Sequence, residues 1–229
     1  MAVKTPPIII LDFETGGFSS RENAVTEFAG IGINGETFEE IARYEAIVAP
    51  YSDDLLYNPD ALKATNISMN QINSGVEFKK FSRDLLSFFR KCAIHSHIKY
   101  RPIIAGHNVT FDISFLQQIF FHTGKQIDKY LNCNKDHHGN QQPKYFDTQI
   151  LAMTAWGNDE AMTKHTLTDC VNKIGEEIVN AHRAMNDVEA TKSLLVNFLK
   201  RLRGSQTVDG DFVTNDESVS FRDKFKFLT

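Results

Sequence analysis

Asp12-Phe13-Glu14, the stretch from His107 to Asp112 and the stretch from His182 to Asp187 gather four carboxylates and two histidines in three short segments spread along the chain. Oxygen ligands in that number suit a hard divalent cation. Asp12 and Glu14 follow the apolar run Ile8-Ile9-Ile10-Leu11 and stand two residues apart. In a strand, whose side chains alternate between faces, both carboxylates project to one side. The three segments read as one divided metal site.

Such a site needs elements that bring distant residues together. If 182–187 were helical throughout, His182 would be turned about 140° from Asp187, at roughly 100° per residue. The two face one site only if His182 lies in the loop before a helix and Asp187 in its opening turns. Asp112 falls near another helix start, with Asn108 or Thr110 available as its cap. Strands are expected at 7–13, 26–34 and 38–48, the last two joined by a hairpin turn at Asn34-Gly35. Phe78, Phe81, Leu85, Leu86, Phe88 and Phe89 recur at helical spacing over 77–91 and read as core. A strand at 102–105 leads into the second acidic segment, whose helix carries Phe111, Phe115, Leu116, Ile119 and Phe120 and ends near Gly124. Residues 124–145 are polar and read as a surface excursion before a helix that begins near Asp147. His165 is placed at the start of the next helix. In the last helix Ala184, Val188, Thr191, Leu195, Phe198 and Leu202 form one continuous apolar face, ending at Gly204.

A chain of 229 residues, 41% apolar and 24% charged, can bury one sizeable core. No run approaches the roughly 20 apolar residues that span a bilayer, and no signal peptide or anchor is expected. Cys92, Cys133 and Cys170 form no CxxC pair and no even set, so a reducing, cytoplasmic compartment is expected. The formal charge of −4 argues against a protein that coats long duplexes, but a short strand end needs fewer phosphate contacts. Cys133, His137 and His138 lack the paired spacing of structural zinc sites. The basic stretch Arg90, Lys91, His95, His97, Lys99 and Arg101 reads as a solvated face.

The words around the acidic segments are LDFETGG at 11–17, GHNVTFDISFL at 106–116, DT at 147–148, KHTLTDCVNKIG at 164–175 and HRAMNDVEAT at 182–191. In order and spacing, from about residue 7 to 203, the chain resembles the DEDDh (DnaQ-like) 3′→5′ exonuclease family, which includes the proofreading exonuclease subunits of bacterial replicative polymerases. The resemblance implies an α/β, ribonuclease H-like fold: a mixed central sheet of about five strands, the first three antiparallel, flanked by helices. It implies an exonuclease domain over 1–203. The remaining residues 204–229 read as a C-terminal tail, flexible or docked, in which Phe221, Phe225 and Phe227 could pack on a partner or on the domain itself. Asp12, Glu14, Asp112 and Asp187 would be the carboxylates holding two Mg²⁺ or Mn²⁺ ions, with Asp12 bridging them, and His182 the general base.

The family reading places the terminal nucleotide against Phe13, Thr15, Gly16, Gly17 and Phe18, with Asn66, Ile67 and Asn108 as further contacts. Phe18 could stack on a base or cover its own loop, and glycine lets a backbone come close to a phosphate or sugar. Asn66-Ile67-Ser68 stands where the family often has His-Gly-Ile, and the second glycine of Gly16-Gly17 departs from a common Thr-Gly. His107 reads as structural. The implied activity is metal-dependent 3′→5′ exonuclease action on single-stranded or frayed DNA, in preference to RNA, releasing nucleoside monophosphates, with a DNA polymerase or other replication protein as partner and no membrane. An exoribonuclease trimming RNA 3′ ends is the close alternative, since discrimination rests on 2′-OH contacts. A catalytically silent polymerase-associated module is the alternative of another class, and the intact carboxylate set argues against it.

Overall fold

The run that ends in the first carboxylates forms β1 (Ile8–Thr15) at the centre of a mixed sheet. On one side it pairs with antiparallel β2 (Val25–Ile33), which pairs in turn with antiparallel β3 (Glu40–Ile47). On the other side lies parallel β4 (Ile103–Gly106). A small separate hairpin of β5 (Cys133–Lys135) and β6 (Gln141–Pro143) precedes β7 (Tyr145–Asp147), which completes the five-stranded sheet as a parallel edge beside β4. The computed structural model describes residues 5–93, 100–178 and 183–203. Among them no helix is long and apolar enough to cross a membrane.

Side-chain alternation divides the core into two layers. Ile9, Leu11 and Phe13 of β1 face α3 (Phe78–Cys92) and α4 (Val109–Thr123), where Phe28, Phe81, Phe88, Phe89, Phe115 and Phe120 make an aromatic-rich core. Each such ring, fully buried, contributes about 1.5–3 kcal/mol. Ile8 and Ile10, with Ala29, Ile31 and Ile33 of β2, face the opposite way, against Ala184, Val188, Leu195 and Leu199 of the last helix (Ala184–Arg203). Asp12 and Glu14 continue the Ile8–Ile10 face, so the strand delivers its carboxylates to the start of that helix.

Shorter helices complete the fold: α1 (Pro59–Thr65), α2 (Met69–Asn73), α5 (Thr148–Trp156) and α6 (Leu167–Lys173) precede the long last helix, α7. Asn58 caps α1 and Ser68 opens α2 with a capping box through Gln71. Thr166, the residue after His165, caps α6. Gly124 ends α4 in the left-handed conformation at φ 63°.

Several expectations need correction. The β2–β3 connection is not a tight Asn-Gly turn: Asn34 Oδ1 accepts from Glu36 N and Thr37 N, and the left-handed residue is Phe38 at φ 64°. Gly35 serves another purpose, since a Cβ there would lie 2.0 Å from the Pro6 carbonyl oxygen. Residues 124–145 are more than a surface excursion. They hold a 3-10 turn at Ile127–Lys129, the β5–β6 hairpin and buried Leu131 and Asn132, and they lead directly into β7. On α7 the apolar face is carried by Leu194 and Leu199 as well, whereas Leu202 is exposed. Gly204, the tail to 229 and the histidines at 95 and 97 lie outside the described residues.

Candidate functional site

Asp12 and Glu14 on β1 meet Asp187 in the first turn of α7, with one carboxylate oxygen from each lying within 4.8 Å of the others. Three elements set this arrangement. The strand period puts Asp12 and Glu14 on the α7 face, the packing of Ala184 and Val188 seats the helix on that face, and Asp187 occurs between those two apolar anchors. Its amide donates to the Arg183 carbonyl at 3.2 Å, which places it firmly in the opening turn.

Asp112 reaches the same strand from the other layer. β4 leaves β1 after pairing with Ile10, so the Phe13 amide has no ladder partner on that side; Asp112 Oδ1 accepts from it at 3.0 Å. Asp112 is buried. It is not one of the three oxygens that converge, but its charge is felt at Asp12.

The electrostatics are those of a site short of positive charge. Burial, then repulsion from Asp112, Glu14, Asp187 and Glu27, holds the Asp12 carboxyl well above the usual carboxylate range. Burial and the charges of Asp187 and Glu27 push Glu14 up to about 7, with Arg183 opposing. Asp112 rises to about 8, chiefly through burial, against the hydrogen bond it accepts from Phe13. Like-charged carboxylates in a desolvated cluster cannot all ionise without a cation. Three oxygens at this separation, all hard donors, fit a divalent ion of the Mg²⁺ or Mn²⁺ kind. Asp12, Glu14 and Asp187 would hold it directly, with Asp112 completing the charge.

The expected cap of α4 is corrected by the geometry. Asn108 occupies the N-cap position in a left-handed conformation at φ 62° and its side chain makes no capping bond. Asp147 does that work from the end of β7: Oδ1 accepts from Asn108 N and Oδ2 from Val109 N, both at 3.1 Å. The same carboxylate caps its own helix, α5, through Gln149 N and Ile150 N. His107 is likewise internal. Its Nε2 donates to the His165 carbonyl at 2.9 Å and its Nδ1 lies 3.0 Å from Thr148 Oγ1, and burial lowers its pKa.

Of the proposed nucleotide contacts, Phe18 is 91% exposed and stands clear of its own loop. Gly16 and Gly17 face protein: a Cβ on Gly16 would lie 2.6 Å from the Leu56 carbonyl oxygen, and one on Gly17 2.5 Å from the Asn23 side chain. Thr15 Oγ1 donates to the Gly17 carbonyl and folds the loop back. Phe13 packs in the aromatic core, Asn66 ends α1 in a left-handed conformation at φ 55°, and Ile67 is buried. His182 lies outside the described residues. The sequence singles out neither Glu27 nor Arg183, and it marks Asp147 only as a helix start within DT at 147–148. Apart from Thr26, Glu27 sits in an apolar strand, directly across from Glu14 on the same face.

Two curated relatives are DNA polymerases III of the PolC type, from Staphylococcus saprophyticus (24% identical over 201 residues) and Oceanobacillus iheyensis (25% over 194). The matches cover 87% and 85% of this chain but only 12% and 11% of those polymerases. Among solved structures, E. coli exonuclease I in complex with a dT13 oligonucleotide superposes with a TM-score of 0.64 at 24% identity, over 86% of this chain and 41% of that one. The zinc-bound form of E. coli exonuclease I with single-stranded DNA superposes with a TM-score of 0.65 at 25% identity, over 87% and 41%. The five-stranded mixed sheet between helices is thus a ribonuclease H-like fold. The model of the RNase T family, described as exonuclease, matches residues 9–195 and so spans every carboxylate of the site, and the chain belongs to that exonuclease family.

Proposed function

We propose that this domain, residues 1–203, is a metal-dependent 3′→5′ exonuclease that removes nucleoside monophosphates from the 3′ end of single-stranded or frayed DNA. The observation that carries this reading is the convergence of Asp12, Glu14 and Asp187 at the end of β1, with the proton affinities of Asp12 and Glu14 raised by burial and by the neighbouring carboxylates. Two Mg²⁺ or Mn²⁺ ions at these carboxylates and Asp112 would supply Lewis-acid stabilisation of the charge that builds on the scissile phosphate. His182 accepts the proton of the attacking water, a task its unperturbed pKa of about 6.5 suits at neutral pH. Phe18, 91% exposed, stacks on the terminal base, a contact worth about 1–3 kcal/mol in single-strand binders. Thr15, Asn66, Ile67 and Asn108 shape the loops on either side of the nucleotide.

The single-stranded DNA held by exonuclease I in its complexes supports DNA as substrate, and the polymerase relatives support a proofreading role beside a DNA polymerase. The test is digestion of 3′- and 5′-labelled single-stranded DNA and matched RNA with Mg²⁺ or Mn²⁺, beside Asp12→Ala and an EDTA control. Stepwise 3′ shortening of DNA that needs metal and Asp12 is the expected result. Faster shortening of RNA would turn the assignment to an exoribonuclease, and no cleavage by folded, metal-bound protein would turn it to a silent module.

A further inference from the structure

Glu27 is a carboxylate in the wrong place for a simple strand. It is 4% exposed, in a β2 sequence otherwise made of Val, Thr, Phe, Ala, Gly and Ile. Its Cα pairs with that of Glu14, so two like charges stand opposite each other on one face, an arrangement that destabilises a sheet. An unpaired buried charge costs far more than a strand gains from it.

The partners of Glu27 account for its presence. Oε1 accepts from the Arg183 guanidinium at 3.1 Å, and Oε2 lies 3.5 Å from the amide of Ala184, the first residue of α7. The Arg183 carbonyl in turn accepts from Asn186 N at 2.9 Å and Asp187 N at 3.2 Å. A continuous line of bonds therefore runs from β2 to the backbone of Asp187. Arg183 has its own oddity: a cation this near the carboxylates weakens the field that would attract a metal. Its place is explained by holding, not by field.

We propose that Glu27 and Arg183 are positioning residues for the metal site, clamping the start of α7 to β2 so that Asp187 meets Asp12 and Glu14 at ligand distance. This rests on the metal-dependent reading above, and it differs from a purely electrostatic role in the sign of one effect. If Arg183 acted only through its charge, Arg183→Met would tighten metal binding. If it acts as a clamp, Arg183→Met loosens binding.

The experiment is calorimetric titration of the full chain with Mn²⁺, without nucleic acid. The wild type is compared with Arg183→Met, Glu27→Gln, Asp187→Asn and the Arg183→Met/Asp187→Asn double variant, each checked by circular dichroism. Removing residues that orient metal ligands costs about 10–100-fold in affinity; here, one bond away from the ligand's helix, about tenfold is expected for Arg183→Met. Glu27→Gln, which keeps acceptor and shape but weakens the pairing, is expected to lose several-fold. In the Asp187→Asn background Arg183→Met should change affinity less than twofold, because its action passes through Asp187. Wild-type affinity or tighter for folded Arg183→Met, or an undiminished loss in the Asp187→Asn background, overturns the clamp while leaving the metal reading intact. No Mn²⁺ uptake by the wild type overturns both.

Discussion

Glu14→Gln should stabilise the metal-free protein at alkaline pH and destroy its response to metal. The side chain keeps its shape, so the change removes one charge from the cluster of Asp12, Asp187 and Glu27. Glu14 rises from 4.5 to about 7 in the folded chain, through burial first and the charges of Asp187 and Glu27 next. A folded-state pKa above the unfolded one contributes stability that is complete below about pH 4.5 and lost as pH climbs through about 7. At about 1.4 kcal/mol for each tenfold change in proton affinity, the loss is capped at roughly 3 kcal/mol. Partial exposure of the side chain brings it to about 2 kcal/mol. For a domain of this size 1 kcal/mol moves the melting temperature by about 2–4 °C, so Glu14→Gln should melt roughly 4–8 °C above wild type at pH 8 in EDTA.

Differential scanning calorimetry of both proteins at pH 5 and pH 8, with EDTA and again with saturating Mg²⁺, checks each part. At pH 5 in EDTA the two curves should nearly coincide, because Glu14 is then largely protonated in the folded state. With Mg²⁺ at pH 8 the order should reverse, since wild type gains a ligand that the variant cannot complete. A variant that melts at or below wild type at pH 8 in EDTA would refute the account of a charge-strained cluster. So would a gap that is the same at both pH values.

Three further outcomes follow from the same structure. Mg²⁺ at about a hundred times its dissociation constant should add about 2.7 kcal/mol to stability; at one fixed concentration the melting shift should be larger at pH 8 than at pH 6, because protons compete at Glu14 (about 7) and Asp112 (about 8). Asp147→Ala removes the acceptor for Asn108 N, Val109 N, Gln149 N and Ile150 N, and urea unfolding should register a loss of about 2–4 kcal/mol, beyond the roughly 1 kcal/mol of a single cap. Gly32→Ala would bring a Cβ within 2.2 Å of the Cys92 sulfur and should cost about 1–3 kcal/mol by overpacking, most of it recovered in Gly32→Ala/Cys92→Ala by the same measurement.

What the sequence disclosed depended on periodicity. Alternation puts Asp12 and Glu14 on one face, and the helical step separates residue 182 from Asp187, so the sequence alone assigns Asp187 to the opening turns of its helix. β7 escaped because three residues, Tyr145–Asp147, are too few to show a period, and the segment before them is rich in turn-forming residues. The β2–β3 turn was misassigned because Asn34-Gly35 has the composition of a two-residue hairpin. Its side-chain bonds to Glu36 and Thr37 make a wider loop, and the left-handed residue falls at Phe38.

The roles that the sequence does not disclose at the site share one physical property: they lie in bonds to backbone amides. Asp147 takes amides from the starts of two helices, and Asp112 takes the Phe13 amide that β4 leaves unpaired. Glu27 faces the first amide of α7 and takes the guanidinium beside it. Spacing along a chain says which side chains can converge, but an unpaired amide appears only when a neighbouring strand ends or a helix begins. Around this site those ends occur together, where β4 leaves β1 and where α7 begins. Acidic side chains that satisfy orphan amides and acidic side chains that converge for a cation are therefore neighbours, and burial with the surrounding charges raises the proton affinity of Asp12, Glu14 and Asp112. The site is strained by the groups that shape it, and neutralisation by a cation would relieve that strain.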